Sequence, residues 1–118
     1  MSVSQLKLNL VEGSMAFRFS AEAARELKVA LAELMDRLKA STAKAAAGSA
    51  GKGTPQKPME YQYTGDVFLE IFCNPNIWPS PFAAKVLVTL RDDRIRVTTE
   101  AELTRLFEDV NLFLEEVA

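Results

Sequence analysis

Along residues 6–19, LKLNLVEGSMAFRF, apolar and polar positions alternate with period two. Leu6, Leu8 and Leu10 alternate with Lys7 and Asn9, and Met15, Phe17 and Phe19 alternate with Ala16 and Arg18. That spacing predicts two strands with one buried face each. With Glu12-Gly13 as a two-residue turn, Leu10 faces Met15, Leu8 faces Phe17 and Leu6 faces Phe19, so all six apolar side chains share one side. From Ala21 the period lengthens to that of a helix. The segment AEAARELKVALAELMDRLKA places Ala24, Leu27, Leu31, Leu34, Met35 and Leu38 on one stripe, with Ser20 as N-cap and Glu22 in the first turn. A coiled-coil seam has similar spacing, but fewer than three heptads favour a helix packed on a sheet.

The pattern then stops. Residues 40–58, ASTAKAAAGSAGKGTPQKP, contain no acid and no large apolar side chain. Such a stretch buries too little to offset its ordering entropy, so a disordered internal loop is expected at about 40–58, its first residues continuing the helix. Within it, GSAGKGT approaches a phosphate-binding loop but lacks the hydroxyl residue after Lys52, and a helix rather than a strand precedes it.

Alternation returns in YQYTGDVFLEIFC, residues 61–73. Val67, Leu69 and Ile71 form one face, Phe68 and Phe72 the other, and Gly65 marks a bulge or bend. The segment NPNIWPSPF that follows has three prolines and is irregular. It carries Ile77 and Trp78, the only tryptophan, either as an exposed anchor for a partner or as a plug for the end of the core. Ala84, Val86, Val88 and Leu90 then alternate inward. With Asp92-Asp93 as the turn, Leu90 meets Ile95, Val88 meets Val97 and Val86 meets Thr99, and Lys85, Arg91, Arg94 and Arg96 face outward. Asp-Asp is a poor type I′ pair, which leaves a longer loop open. Thr99 and Glu102 fit a capping box for a last helix. That helix buries Leu103, Leu106, Phe107 and Val110, and its other face is acidic, with Glu100, Glu102, Glu108, Asp109, Glu115 and Glu116.

These elements imply a single α+β domain over residues 1–118. Five strands form one mainly antiparallel sheet in the order ββα-βββα, with two helices on one face. The other face would show Arg18, Phe68, Phe72 and Leu87, a half-apolar surface suited to a homodimer or another partner.

Composition narrows the chemistry. The 118-residue chain has no histidine, which removes the usual general base near neutral pH and every His-dependent triad. One cysteine, Cys73, allows no internal disulfide and no zinc cluster, and fits a reducing compartment. A net charge of −2 is not the footprint of a protein that tracks phosphates. No apolar run reaches the roughly 18 to 20 residues that span a bilayer, and the N-terminus MSVSQLKLNL has no secretory pattern. The expected location is the cytoplasm.

The block LRDDRIRVTTEAELTRLFEDVNLFLEEV, residues 90–117, resembles a group of small uncharacterised proteins from cyanobacteria. The resemblance covers the C-terminal third and rests on general texture, not on a catalytic motif. It implies a cytosolic accessory protein of a photosynthetic bacterium and brings no catalytic residues.

The function these observations favour is a non-enzymatic protein–protein interaction module, an accessory, assembly or regulatory factor. Its expected contacts are Ile77 and Trp78 as anchors, with Arg91, Arg94, Arg96, Glu108 and Asp109 as steering charges. No cofactor and no metal are expected. The alternatives are a small-ligand-binding domain lined by aromatics such as Phe17, Phe19, Tyr61 and Tyr63, and a weak nucleic-acid binder using the basic strand face.

Overall fold

The computed structural model describes residues 4–46 and 56–117, with the backbone alone for 41–46. The chain forms β1 (Ser4–Asn9), β2 (Ser14–Phe19), α1 (Ala21–Ala46), β3 (Met59–Thr64), β4 (Phe68–Cys73), a 3-10 turn at Pro75–Ile77, β5 (Lys85–Arg91), β6 (Arg96–Glu102) and α2 (Leu103–Val117). It is an α+β fold of two helices and six strands. The strands form two antiparallel sheets, β1-β2 and β3-β4-β5-β6.

The expected single five-stranded sheet is therefore corrected on two points. Residues 61–73 do not form one strand. They fold back at Gly65, whose N–H donates to the Val67 carbonyl at 3.0 Å, so Thr64 pairs with Phe68 and Tyr61 with Ile71. The absence of a side chain at Gly65 leaves room for the end of the Tyr63 ring, whose Cζ lies 2.6 Å from where a Cβ would stand. The first hairpin, moreover, forms a ladder only with itself; it docks through side chains and through the Val11 N–H, which donates to the Glu100 carbonyl at 3.2 Å, without extending the larger sheet.

Both two-residue turns are four-residue loops, and each register is displaced by two. In the first hairpin Leu6 pairs with Phe17 and Leu8 with Met15. Its loop closes by Leu10 N–H to the Gly13 carbonyl at 3.0 Å, with Gly13 at φ 82°. A type I′ turn at Glu12-Gly13 would need positive φ at Glu12 as well, whereas the longer loop gives Gly13 that conformation. In the second, Leu90 pairs with Val97, Val88 with Thr99 and Val86 with Ala101. A shift of two leaves every side chain on its expected face. It changes which residues reach the core, however: Ile95 and Val97, expected inside, are 58% and 41% exposed.

Strand β6 also runs on to Glu102, through residues expected to begin the last helix. Ala101 is fully buried opposite Val86, and that packing outweighs the helical pattern of Thr99–Glu102. The capping box does not form, and the first helical residue, Leu103, donates its N–H to the Ala84 carbonyl at 3.0 Å.

Helix α1 follows its pattern closely. Ser20 Oγ accepts the Ala23 N–H at 3.0 Å, and Ala24, Leu27, Leu31, Leu34 and Leu38 are fully buried. The helix extends to Ala46, into the stretch expected as a loop. The rest of that loop, 47–55, and the GSAGKGT motif lie outside the described residues.

One core joins both sheets and both helices. Phe19 is its meeting point: its ring lies edge-on to Phe17 at 5.7 Å, to Tyr63 at 4.7 Å and to Phe113 at 6.2 Å. Tyr61 Oη donates to the Ala23 carbonyl at 3.3 Å, which ties α1 to the buried face of the four-stranded sheet. Burial keeps the Tyr61 phenol protonated well above its usual range, with Glu26 and then Tyr63 adding to the shift. Among the described residues, no helix is long and apolar enough to cross a membrane.

Candidate functional site

Among the described residues, no element packs on the open face of the four-stranded sheet, the one turned away from the core. Pairing arranges its side chains in rows across the strands. At one end, Thr64, Phe68, Arg91 and Arg96 stand side by side; in the middle, Gln62, Glu70, Thr89 and Thr98; then Glu60, Phe72, Leu87 and Glu100; and last, Lys85 beside Glu102. Phe68 and Phe72 are half-buried and Leu87 is 43% exposed, so an apolar strip runs along β4 and β5. Charges frame it. The Arg91 guanidinium lies 4.2 Å from the centre of the Phe68 ring, a cation–π contact that holds this cation against the strip. Gln62 Nε2 donates to Glu70 at 2.9 Å, and the Thr89 and Thr98 hydroxyls approach at 3.4 Å.

The residues expected to act together are dispersed. Arg91 and Arg96 do meet, as direct partners across β5 and β6 on the open face. Arg94 stands apart on the connecting turn. Ile77 and Trp78 follow β4 and precede β5, at the opposite end of the sheet from the arginines. The seven residues of β5 separate the two groups by roughly 20 Å. Trp78 and Ile77 also part company: Trp78 is half-buried and packs on the core, whereas Ile77 is 66% exposed. Trp78 is thus closer to the expected plug and Ile77 to the expected anchor. The loop holding them is tied by side-chain hydrogen bonds. Asn74 Oδ1 accepts the Asn76 N–H at 3.0 Å, and the Asn76 side chain bonds both the N–H (2.7 Å) and the carbonyl (2.8 Å) of Gln56.

On α2, Glu108 is exposed as expected, but Asp109 is not a surface charge. It is buried, and its carboxylate accepts the Asn9 N–H at 2.8 Å and the Asn9 side-chain amide at 3.0 Å. Asp109 falls on the side of α2 that meets β1, so it is a clamp between those elements rather than a steering charge. Arg18 likewise leaves the open face: it lies on the separate hairpin and reaches Asp66 at 3.7 Å.

The acids that do frame the open face, Glu60, Glu100 and Glu102, were not among the candidate residues. The helical pattern of the last segment places Glu100 and Glu102 on the helix instead. The signal for them was present in RIRVTTEAE, where Arg96, Thr98, Glu100 and Glu102 alternate with Val97, Thr99 and Ala101, but Thr99 and Glu102 also match a capping box.

The reactive groups are otherwise occupied. Cys73 is 2% exposed, and burial pushes its thiol up to about 11 against the opposing effect of a hydrogen bond from Trp78. It is a packing residue of the core. Asp92 Oδ1 accepts the N–H groups of Arg94 at 2.8 Å and Ile95 at 2.9 Å, which hold its carboxyl below the usual range. Its carboxylate closes a turn. Among the described residues no group of His, Cys, Asp and Glu is arranged to hold a metal ion.

Comparison with protein-family models, with curated proteins and with solved structures gives no match, and none bears on the resemblance of the C-terminal block.

Proposed function

We propose that the protein is a non-enzymatic interaction module, an accessory or regulatory factor, whose contact surface is the open face of the four-stranded sheet. The observation that carries this reading is the strip of Phe68, Phe72 and Leu87, left uncovered and framed by Arg91, Arg96, Glu60 and Glu100. Exposed apolar side chains interspersed with polar ones and edged by charge suit a protein interface. The rim charges set orientation and approach rate, and the strip supplies the buried area.

The other two readings have less support. The aromatics proposed to line a ligand cavity pack on one another through Phe19 and fill that space. The basic corner offers little to a nucleic-acid base: Phe82, the aromatic expected to stack beside the arginines, is exposed but precedes the opposite end of β5, and Arg91 already covers the Phe68 ring.

The test is a photocrosslinking amino acid at position 87, with the same group at exposed position 36 on α1 as control. Irradiation in the native host should give a discrete protein adduct from position 87 and none from position 36. Absence of any adduct from position 87, with the chain folded and expressed, would remove the open face as the contact surface.

A further inference from the structure

The open face is complementary to itself. Its end row at Phe68 carries two cations, Arg91 and Arg96, and no acid. The row at Phe72 carries two acids, Glu60 and Glu100, and no cation. The middle row separates them and carries one acid, Glu70, which accepts a 2.9 Å hydrogen bond from Gln62.

A second copy turned about a twofold axis running across the strands, along the middle row, keeps each strand over its own counterpart and exchanges the two end rows. Arg96 then faces Glu100 of the second copy, Phe68 faces Phe72, and Arg91 lies over Leu87. Symmetry makes each contact twice. The other twofold, running along the strands, keeps the rows in place and sets Glu60 over Glu100, so like charges meet. Both arrangements bring apolar side chains together, but the first makes the Arg96–Glu100 pair twice against one contact between the two Glu70 side chains on the axis, whereas the second makes the Glu60–Glu100 contact twice and no ion pair. The first also matches the aligned packing of two sheets about 10 Å apart, face to face.

Building on the open face as the contact surface, we infer that its partner is a second copy of this chain, docked sheet to sheet about the axis across the strands. Arg96 and Glu100 are both exposed, so their charges can be exchanged without entering the core.

The experiment is sedimentation equilibrium of the full chain over micromolar to submillimolar concentration, with three variants. The wild type should dimerise. Arg96→Glu and Glu100→Arg should each raise the dimer dissociation constant about tenfold or more, because each creates two like-charge contacts. Mixed in equal amounts, these two variants should associate with each other, since every position-96 side chain then faces an opposite charge at position 100. The double variant Arg96→Glu/Glu100→Arg should recover the wild-type constant. A wild type that stays monomeric throughout, single variants that dimerise as well as wild type, or a mixture that fails to associate would each overturn the inference. A monomeric wild type whose position 87 still crosslinks to a different protein would overturn only the choice of partner. A monomer without any such adduct would overturn the contact surface too.

Discussion

Asp109 and Glu108 are neighbours on α2 with different surroundings. Glu108 projects into solvent, while Asp109 faces β1 and takes up two donors of Asn9. Removing the Asp109 carboxylate leaves the Asn9 N–H without its partner in a part-buried site. Asp109→Ala should therefore destabilise the fold by about 1.5–3 kcal/mol. Glu108→Ala should stay within about 0.5 kcal/mol. Urea unfolding of the two variants checks this difference, and equal midpoints would show that the Asn9 clamp carries no net stability. Both residues carry the same charge in the sequence. The side of α2 that meets β1 depends on a contact between residues 100 positions apart.

The β5–β6 turn shows the same principle for an element. Asp92 closes it by accepting two backbone N–H groups, from Arg94 first and Ile95 second, and these favour the carboxylate form. Its folded pKa is below that of the unfolded chain. The stabilising contribution is therefore present above the unfolded value and is lost as pH falls through the folded one. The amide protons of Arg94 and Ile95 should titrate together by NMR with a midpoint below the ordinary aspartate value of 3.8. Asp92→Asn should keep the turn and abolish the titration. A midpoint at or above the ordinary value would show that these bonds do not hold the carboxylate. This element also marks the limit of the sequence pattern. Alternation identified the faces of β5 and β6 correctly, because a shift of two preserves the face. It left the register open, because Asp92-Asp93 and the longer Asp92–Ile95 loop both satisfy the alternation. The Asp92 side-chain bonds and the Asp92 N–H to Ile95 carbonyl bond close the second, and that choice sets Arg96 beside Arg91 and Glu100 beside Leu87.

For the molecule as a whole, the two sheets share no backbone ladder and are joined by side chains and by the Val11 N–H bond to the Glu100 carbonyl, with Phe19 of β2 touching β3 and α2. Phe19→Ala should cost about 3–5 kcal/mol, a large part of the roughly 5–15 kcal/mol by which such a domain is stable. Trp78, the only tryptophan, reports on the far end of the larger sheet. Its fluorescence transition in urea should move with the circular-dichroism transition when Phe19 is truncated, as one cooperative unit requires. Separate transitions would show that the first hairpin folds independently of the four-stranded sheet.

The sequence by itself determined the class of the fold, the stripe of α1, the buried faces of the strands and the absence of histidine chemistry. These follow from local periodicity and composition, which need no knowledge of neighbours. The tertiary structure decided the number of sheets, both hairpin registers, the start of α2, the burial of Asp109 and the separation of Trp78 from the arginines. Each of these turns on a contact the pattern leaves undetermined: the Tyr63 ring over Gly65, Ala101 under Val86, the Asp109 carboxylate on Asn9. The open face is the clearest case. Its apolar strip was legible in Phe68, Phe72 and Leu87, but its opposed rows of arginine and glutamate exist only once β6 is paired to β5 in the observed register.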